Sequence, residues 1–381
     1  MEALIKVFDE KEYLNNVLPP LTLKVKRIVY IYHHLIDKHL SNCTEEVLKK
    51  YADINVSFLR LENDEEDIAK IFAQYQNFVV DISTNRYLTM LLFEKALNYN
   101  QKIVYFDSYE NVMKDYRSHT IIDEQIFKLE IEDLIKLSGG SMLKNMHKAP
   151  TDEPMLSNTI KKVMNKVLAN YPEFISYIQR VNHIASQAKS NGLLFYLHED
   201  KIKRIIDDPM YKILREFKLF EIKGNCLCFK SEEIRDLFEV SGSWLESYLY
   251  LNLKESGHYD DVKMSVVIDF SDYRNSEYPI TCEIDGVVLK NNHLAFISSK
   301  SNKVETDALN EIKTHQERFG NYLSHPIICT LEDLSNKKPS IFLKAQGLKI
   351  AVIEYQHFRD QKLVKIMDKI LNNSYVYVNR L

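Results

Sequence analysis

The 381-residue chain has 45% hydrophobic and 27% charged residues but only nine glycines and nine prolines, which excludes a low-complexity or linker-dominated protein. A formal charge of −4 gives no general attraction to nucleic acid, so any such binding needs a local basic surface. No run reaches the ~20 apolar residues of a membrane span, no signal-peptide pattern opens the chain, and five scattered cysteines fit reduced thiols in a cytoplasmic protein with no membrane partner.

Such a length predicts two or three domains. In the first third, short apolar strands at 3–8, 27–33, 56–61, 77–83 and 102–107 alternate with helical patterns near 44–52, 64–75 and 85–98. Continuous apolar runs such as RIVYIY mark strands buried on both faces, and the alternation predicts a parallel, doubly wound sheet. Such sheets bind ligands at the carboxyl ends of their strands. Two strand ends carry suitable groups: Phe8-Asp9-Glu10-Lys11, and Ile82-Ser83-Thr84-Asn85-Arg86 following Asp81. The second set puts hydroxyl, amide and guanidinium groups at a helix start, which suits phosphate. The same serine, threonine and asparagine could equally serve as helix caps. Neither a GxGxxG nor a Walker lysine is present, which disfavours a dehydrogenase or a P-loop NTPase.

A break falls at KAPTDEP (148–154), just after the Ser138-Gly139-Gly140-Ser141 turn. Residues 157–240 read as mostly helical and close on a hairpin-like LFEIKGNCLCFKS, which suggests a winged-helix-like connector. Its Cys226 and Cys228 lack the second pair that a zinc site needs and read as strand cysteines. From Ser241 a helix begins that is apolar on nearly every side, with Glu246 on the stripe of Leu249, Tyr250 and Leu253. A carboxylate among apolar neighbours requires a partner or a metal. A strand at 262–270, a hairpin, a helix at about 303–320, two strands and a terminal helix follow.

The hairpin is CEIDGVVLKNNHLAFISSKS, residues 282–301. With Asn291-Asn292 as its turn, Lys290 pairs with His293, Leu289 with Leu294, Val287 with Phe296, Asp285 with Ser298 and Glu283 with Lys300. Regular alternation puts the last four of these pairs on one face, apolar at the turn end and polar at the other. A solvated Glu283–Lys300 ion pair would explain the charges. A site for Mg²⁺ or Mn²⁺ with a lysine beside the attacking water would explain them as well.

Helix Glu, strand Asp and strand Lys in the order α, three antiparallel strands, α, strand resemble the PD-(D/E)xK nuclease core. The stretches GSWLESYLY, CEIDGVVL, HLAFISSKS and HQERFG are similar to motifs of CRISPR ancillary nucleases that join a CARF sensor domain to such a core. DISTNR and FDEK fit the more degenerate sensor motifs, so the resemblance covers essentially the whole chain. It implies an α/β protein: a Rossmann-like CARF domain (1–146), a helical connector (147–240) and a mixed α/β nuclease domain (241–381). It further implies a homodimer that binds a cyclic oligoadenylate, usually the tetra-adenylate, through Phe8–Lys11 and Ile82–Arg86. Asp285 would then be the principal ligand of Mn²⁺ or Mg²⁺, Glu246 the helix carboxylate, Lys300 the catalytic lysine, and Glu283 a ligand or a supporting acid. The substrate would be DNA, RNA or both. Ser298 departs from the pattern, because it stands where an acid is usual. Its neutral oxygen leaves a second class open: a degenerate regulator that senses a cyclic nucleotide and binds nucleic acid without cutting it.

Overall fold

A computed structural model describes residues 3–75, 77–84, 86–107, 110–143, 154–187, 189–239, 242–274, 278–301, 303–320 and 323–372. The first sheet contains β1 (Ala3–Val7), β2 (Arg27–Tyr32), β3 (Asn55–Arg60), β4 (Phe78–Asp81), β5 (Lys102–Asp107), β6 (Val112–Asp115) and β7 (Ile121–Asp123), in the order β3-β2-β1-β4-β5-β6-β7. Strands β1 to β5 pair in parallel, whereas β6 and β7 extend the edge antiparallel and went unread because they are short and polar. Between strands lie α1 (Tyr13–Thr22), α2 (Lys38–Tyr51), α3 (Asp64–Gln74) and α4 (Tyr87–Asn98). The reversal of strand order falls between β1 and β4, so the FDEK and DISTNR loops leave the sheet side by side.

Helix α1 escaped the periodicity because it contains Pro19 and Pro20. Neither proline has an N–H, so the carbonyls of Asn15 and Asn16 lose their usual acceptor role in the helix. Both find other donors: Lys6 Nζ bonds the Asn15 carbonyl, and the Tyr30 hydroxyl donates to that of Asn16 at 2.6 Å.

After α5 (Ile131–Leu137), the two-residue β8 (Ser141–Met142) pairs with the C-terminal sheet; the expected break at 148–154 lies outside the described residues except for Pro154, which opens the next helix. The middle region holds α6 (Pro154–Ala169), α7 (Glu173–Ser186), β9 (Lys189–Asn191), β10 (Leu194–Tyr196), α8 (Glu199–Ile206), α9 (Pro209–Glu216), β11 (Phe220–Lys223), β12 (Cys226–Phe229) and α10 (Glu232–Glu239). Its two hairpins join into one antiparallel sheet with α8 and α9 between them in sequence, so the anticipated single hairpin is one of two.

The last region holds α11 (Ser243–Ser256), β13 (Asp261–Asp269), α12 (Ser271–Arg274), β14 (Thr281–Lys290), β15 (His293–Lys300), α13 (Thr306–Phe319), β16 (Ser324–Thr330) and β17 (Ala351–Ile353). Its sheet runs β17-β16-β15-β14-β13-β8. One face packs on α6, α11 and the helix Leu363–Asn372; the other packs on α5 and α13, in a core continuous with that of the first sheet. The Asn291-Asn292 turn has φ of 50° and 63°, both in the left-handed region that asparagine tolerates. Asn292 also clamps the two halves, accepting from the Leu129 N–H at 3.1 Å and donating to the Phe127 carbonyl at 2.8 Å.

Candidate active site

The expected hairpin register holds from Lys290↔His293 to Gly286↔Ile297. Beyond that point regular alternation fails. On β14, Val287 and Leu289 face α13; Ile284, which should face the other way, lies in the same core. The neighbouring strand does likewise: Met264 packs on the α11 side, whereas Val266 and Ile268 pack on the α13 side. Between them Ser265 has φ of 49°, an uncommon conformation for a side chain of any size in mid-strand. Asp285 lies at this paired irregularity, the kind of break that re-aims a side chain. Glu283 therefore does not share a face with Val287, and the expected Glu283–Lys300 pair is replaced by Lys300–Asp285, with Nζ 3.6 Å from Oδ2.

Ser298 and Ser299 are buried at the end of β15. The Ser299 N–H donates to Asp285 Oδ2 at 2.7 Å and its hydroxyl donates to Glu246 Oε1 at 3.1 Å. The hydroxyl of Ser298 lies a long 3.5 Å from Asp285 Oδ2. Glu246 reaches this point from the first turn of α11, folding back over Gly242, where φ is 104° and an added Cβ would come within 3.1 Å of its carboxylate. Burial first, then the negative charge of Asp285, raises the Glu246 carboxyl to about 7; the Ser299 hydroxyl opposes the shift. Glu283 is exposed and adds a smaller repulsion than Asp285 does. Among the described residues no three His, Cys, Asp or Glu side chains form a metal cage. Glu246, Asp285 and Lys300 are thus gathered in one place; Glu283 stands apart.

Two nearby residues lie inside the quoted motifs, HLAFISSKS and HQERFG, but were given no role by the sequence reading. Ser299 looked like filler between Ser298 and Lys300. His315, buried on α13, is held below its ordinary pKa by burial, against the opposing charges of Glu311 and Asp285.

At the first sheet, a cavity of about 410 Å³ is lined by Phe8, Glu10, Lys11, Tyr32, His33 and Arg86, among others. Asp9 is buried beneath it and accepts from Arg86 Nε at 2.9 Å and Nη2 at 2.6 Å. Burial pushes the Asp9 carboxyl up, but Arg86 and the Lys11 and Glu12 amides outweigh it, leaving the group below its ordinary value. Asp81 is also buried, in an ion pair with Lys6 at 2.5 Å, and accepts from the Ser83 N–H at 2.9 Å. Ser83 spends its hydroxyl on Asp81 and on the Phe106 N–H; Thr84 is buried against Thr89 at 2.8 Å. These hydroxyls brace the turn instead of capping α4. Ile82 is half-buried, and Asn85 lies outside the described residues. The sequence reading missed the stretch Tyr32–Ile36 at the end of β2 and Tyr87 on α4, which complete the wall.

Residues 232–375 match the family model described as the Card1-like endonuclease domain. The match to an endonuclease domain covers this part of the chain. The resemblance to CARF-associated nucleases read from the motifs holds accordingly. Protein VC1899 from Vibrio cholerae is similar in fold over 98% of this chain and 99% of its own, at 16% identity and a TM-score of 0.80. Can2 from Sulfobacillus thermosulfidooxidans, solved in complex with cyclic tetra-adenylate, matches over 96% and 99%, at 15% identity and a TM-score of 0.73. The comparison with curated proteins gives no match. Among the described residues, no helix is long and apolar enough to cross a membrane.

Proposed function

We propose that this chain is a metal-dependent nuclease of CRISPR defence, switched on by a cyclic oligoadenylate bound at the N-terminal sheet of a homodimer. The observation that carries the nuclease reading is the convergence of Glu246 and Asp285 with Lys300 at the irregular end of β14, within a domain of endonuclease type. A carboxylate that holds its proton to about pH 7, through burial first and then the charge of a second carboxylate beside it, marks a site that favours a cation. Carboxylate and hydroxyl oxygens suit Mg²⁺ or Mn²⁺, which take their remaining positions from water and substrate phosphate, so two acids suffice. Glu246 and Asp285 would hold the ion, with Glu283 at the rim. When bound, the ion lowers the pKa of a water and offsets charge on the phosphoryl oxygens. The Lys300 ammonium, beside Asp285, is placed to steady the pentavalent phosphorus as the P–O bond breaks.

The activator reading rests on the pocket at the carboxyl ends of β1 and β2, walled by the start of α4, on the fold shared with Can2, and on the exposed Lys11 and Arg86 cations. A volume of about 410 Å³ suits one small ligand and is less than four nucleotides fill. A two-fold symmetric ring would therefore need the same pocket from a second copy. Leu35, Tyr87 and Met90, large and exposed beside it, supply apolar area for that pairing.

Purified protein should be incubated with Mn²⁺ and plasmid, single-stranded DNA or RNA, with and without each cyclic oligoadenylate, and its mass measured in solution. Cleavage only with a cyclic oligoadenylate, by a dimer, is expected. Activator binding without cleavage of any substrate would favour the degenerate regulator.

A further inference from the structure

We propose that Ser299 is the positioning residue of the metal site, the group that ties Glu246 and Asp285 together where they would hold an ion. This inference rests on the nuclease reading above. Glu246 comes from α11 and Asp285 from β14, and the charge of each opposes the approach of the other. Ser299 is the residue that bonds to both: its N–H holds Asp285 at 2.7 Å and its hydroxyl holds Glu246 at 3.1 Å. The backbone donor is present whatever the side chain, so substitution frees the helix acid alone. Ser299 is 4% exposed, so water would not easily replace the lost hydroxyl. Ser298, at the position where an acid is usual, lies too far from Asp285 for a strong bond and does not bridge the two elements.

Hydrogen-bond partners that orient metal ligands typically contribute ten- to a hundredfold in metal affinity. Mn²⁺ binding to the full chain, without substrate, should be followed by calorimetry and by loss of the free-Mn²⁺ electron paramagnetic resonance signal. Ser299→Ala should weaken binding about ten- to a hundredfold. Ser299→Cys, which fills the same space with a weak donor, should weaken it similarly, and Ser299→Thr, which keeps the hydroxyl, should restore most of it. Ser298→Ala should bind as the parent does. The metal-free melting temperature of each variant separates lost positioning from lost folding. Undiminished binding by folded Ser299→Ala and Ser299→Cys would overturn the assignment. Failure of the parent protein itself to bind Mn²⁺ would instead remove the metal reading on which the assignment rests.

Discussion

Glu246→Gln, studied in chelator without metal, reads the cost of charging a carboxyl that is buried beside Asp285. The carboxyl moves from an ordinary 4.5 to about 7, chiefly through burial and then the charge of Asp285. At 1.36 kcal/mol for each tenfold change in acidity, the move from 4.5 to about 7 sets an upper bound of about 3 kcal/mol. The site is partly open, so about 1–2 kcal/mol is expected after solvent screening. In the unfolded chain Glu246 releases its proton near pH 4.5, whereas in the folded protein it keeps it until about pH 7. The native state therefore loses stability as pH rises through that window, and the loss is complete above it. Glutamine does not titrate. Its stability relative to wild type should be least favourable near pH 4.5 and should improve by about 1–2 kcal/mol by pH 8. Scanning calorimetry of both proteins from pH 4.5 to 8 reads this as a melting-temperature difference that shifts by a few degrees in favour of glutamine. Saturating Mn²⁺ should reverse the ranking at pH 8, because only the carboxylate gains from the ion. A difference that stays flat with pH would mean that Glu246 is not strained by burial beside Asp285, and the geometry argued for the site would be wrong.

Asp285→Ala and Lys300→Ala should each abolish cleavage, with binding of cyclic tetra-adenylate, measured by calorimetry, unchanged because the pocket belongs to the other sheet. Ser298→Asp would add a hard anionic ligand next to Asp285, so cleavage should saturate at lower Mg²⁺; an unchanged metal dependence would count against the Ser298–Asp285 juxtaposition. Asn292→Ala should cost about 1–3 kcal/mol through the buried Leu129 N–H and Phe127 carbonyl it leaves unpaired, and Asn292→Gly, which eases the positive φ but leaves the same groups, should recover only part of that in a denaturation series.

Much of this architecture could be read from residue patterns. The first five strands showed as apolar runs, and the hairpin register followed from two asparagines flanked by alternating residues. What escaped was local. The prolines of α1 hid a helix whose stray carbonyls depend on Lys6 and Tyr30, partners distant in sequence. The face change at Ser265 and Asp285 involves neither a proline nor a positive-φ glycine, so Glu283 was placed one face away from where it lies. Ser299 could have been put on the opposite face from Ser298 and Lys300 by counting, but only the packing of α11 shows that Glu246 waits there.

Strand β8 has a practical meaning for anyone dissecting the protein. A fragment beginning at residue 241 would carry every residue of the proposed metal site yet leave the outer edge of β13 without the two residues that cover it. Bare edges recruit strands from other molecules, so such a fragment should self-associate through β13. The elements from α6 to α10 are topologically an excursion between two pieces of one sheet. Shortening it with Ser141, Met142 and α6 kept, since α6 packs against α11, is the safer route to a minimal fragment.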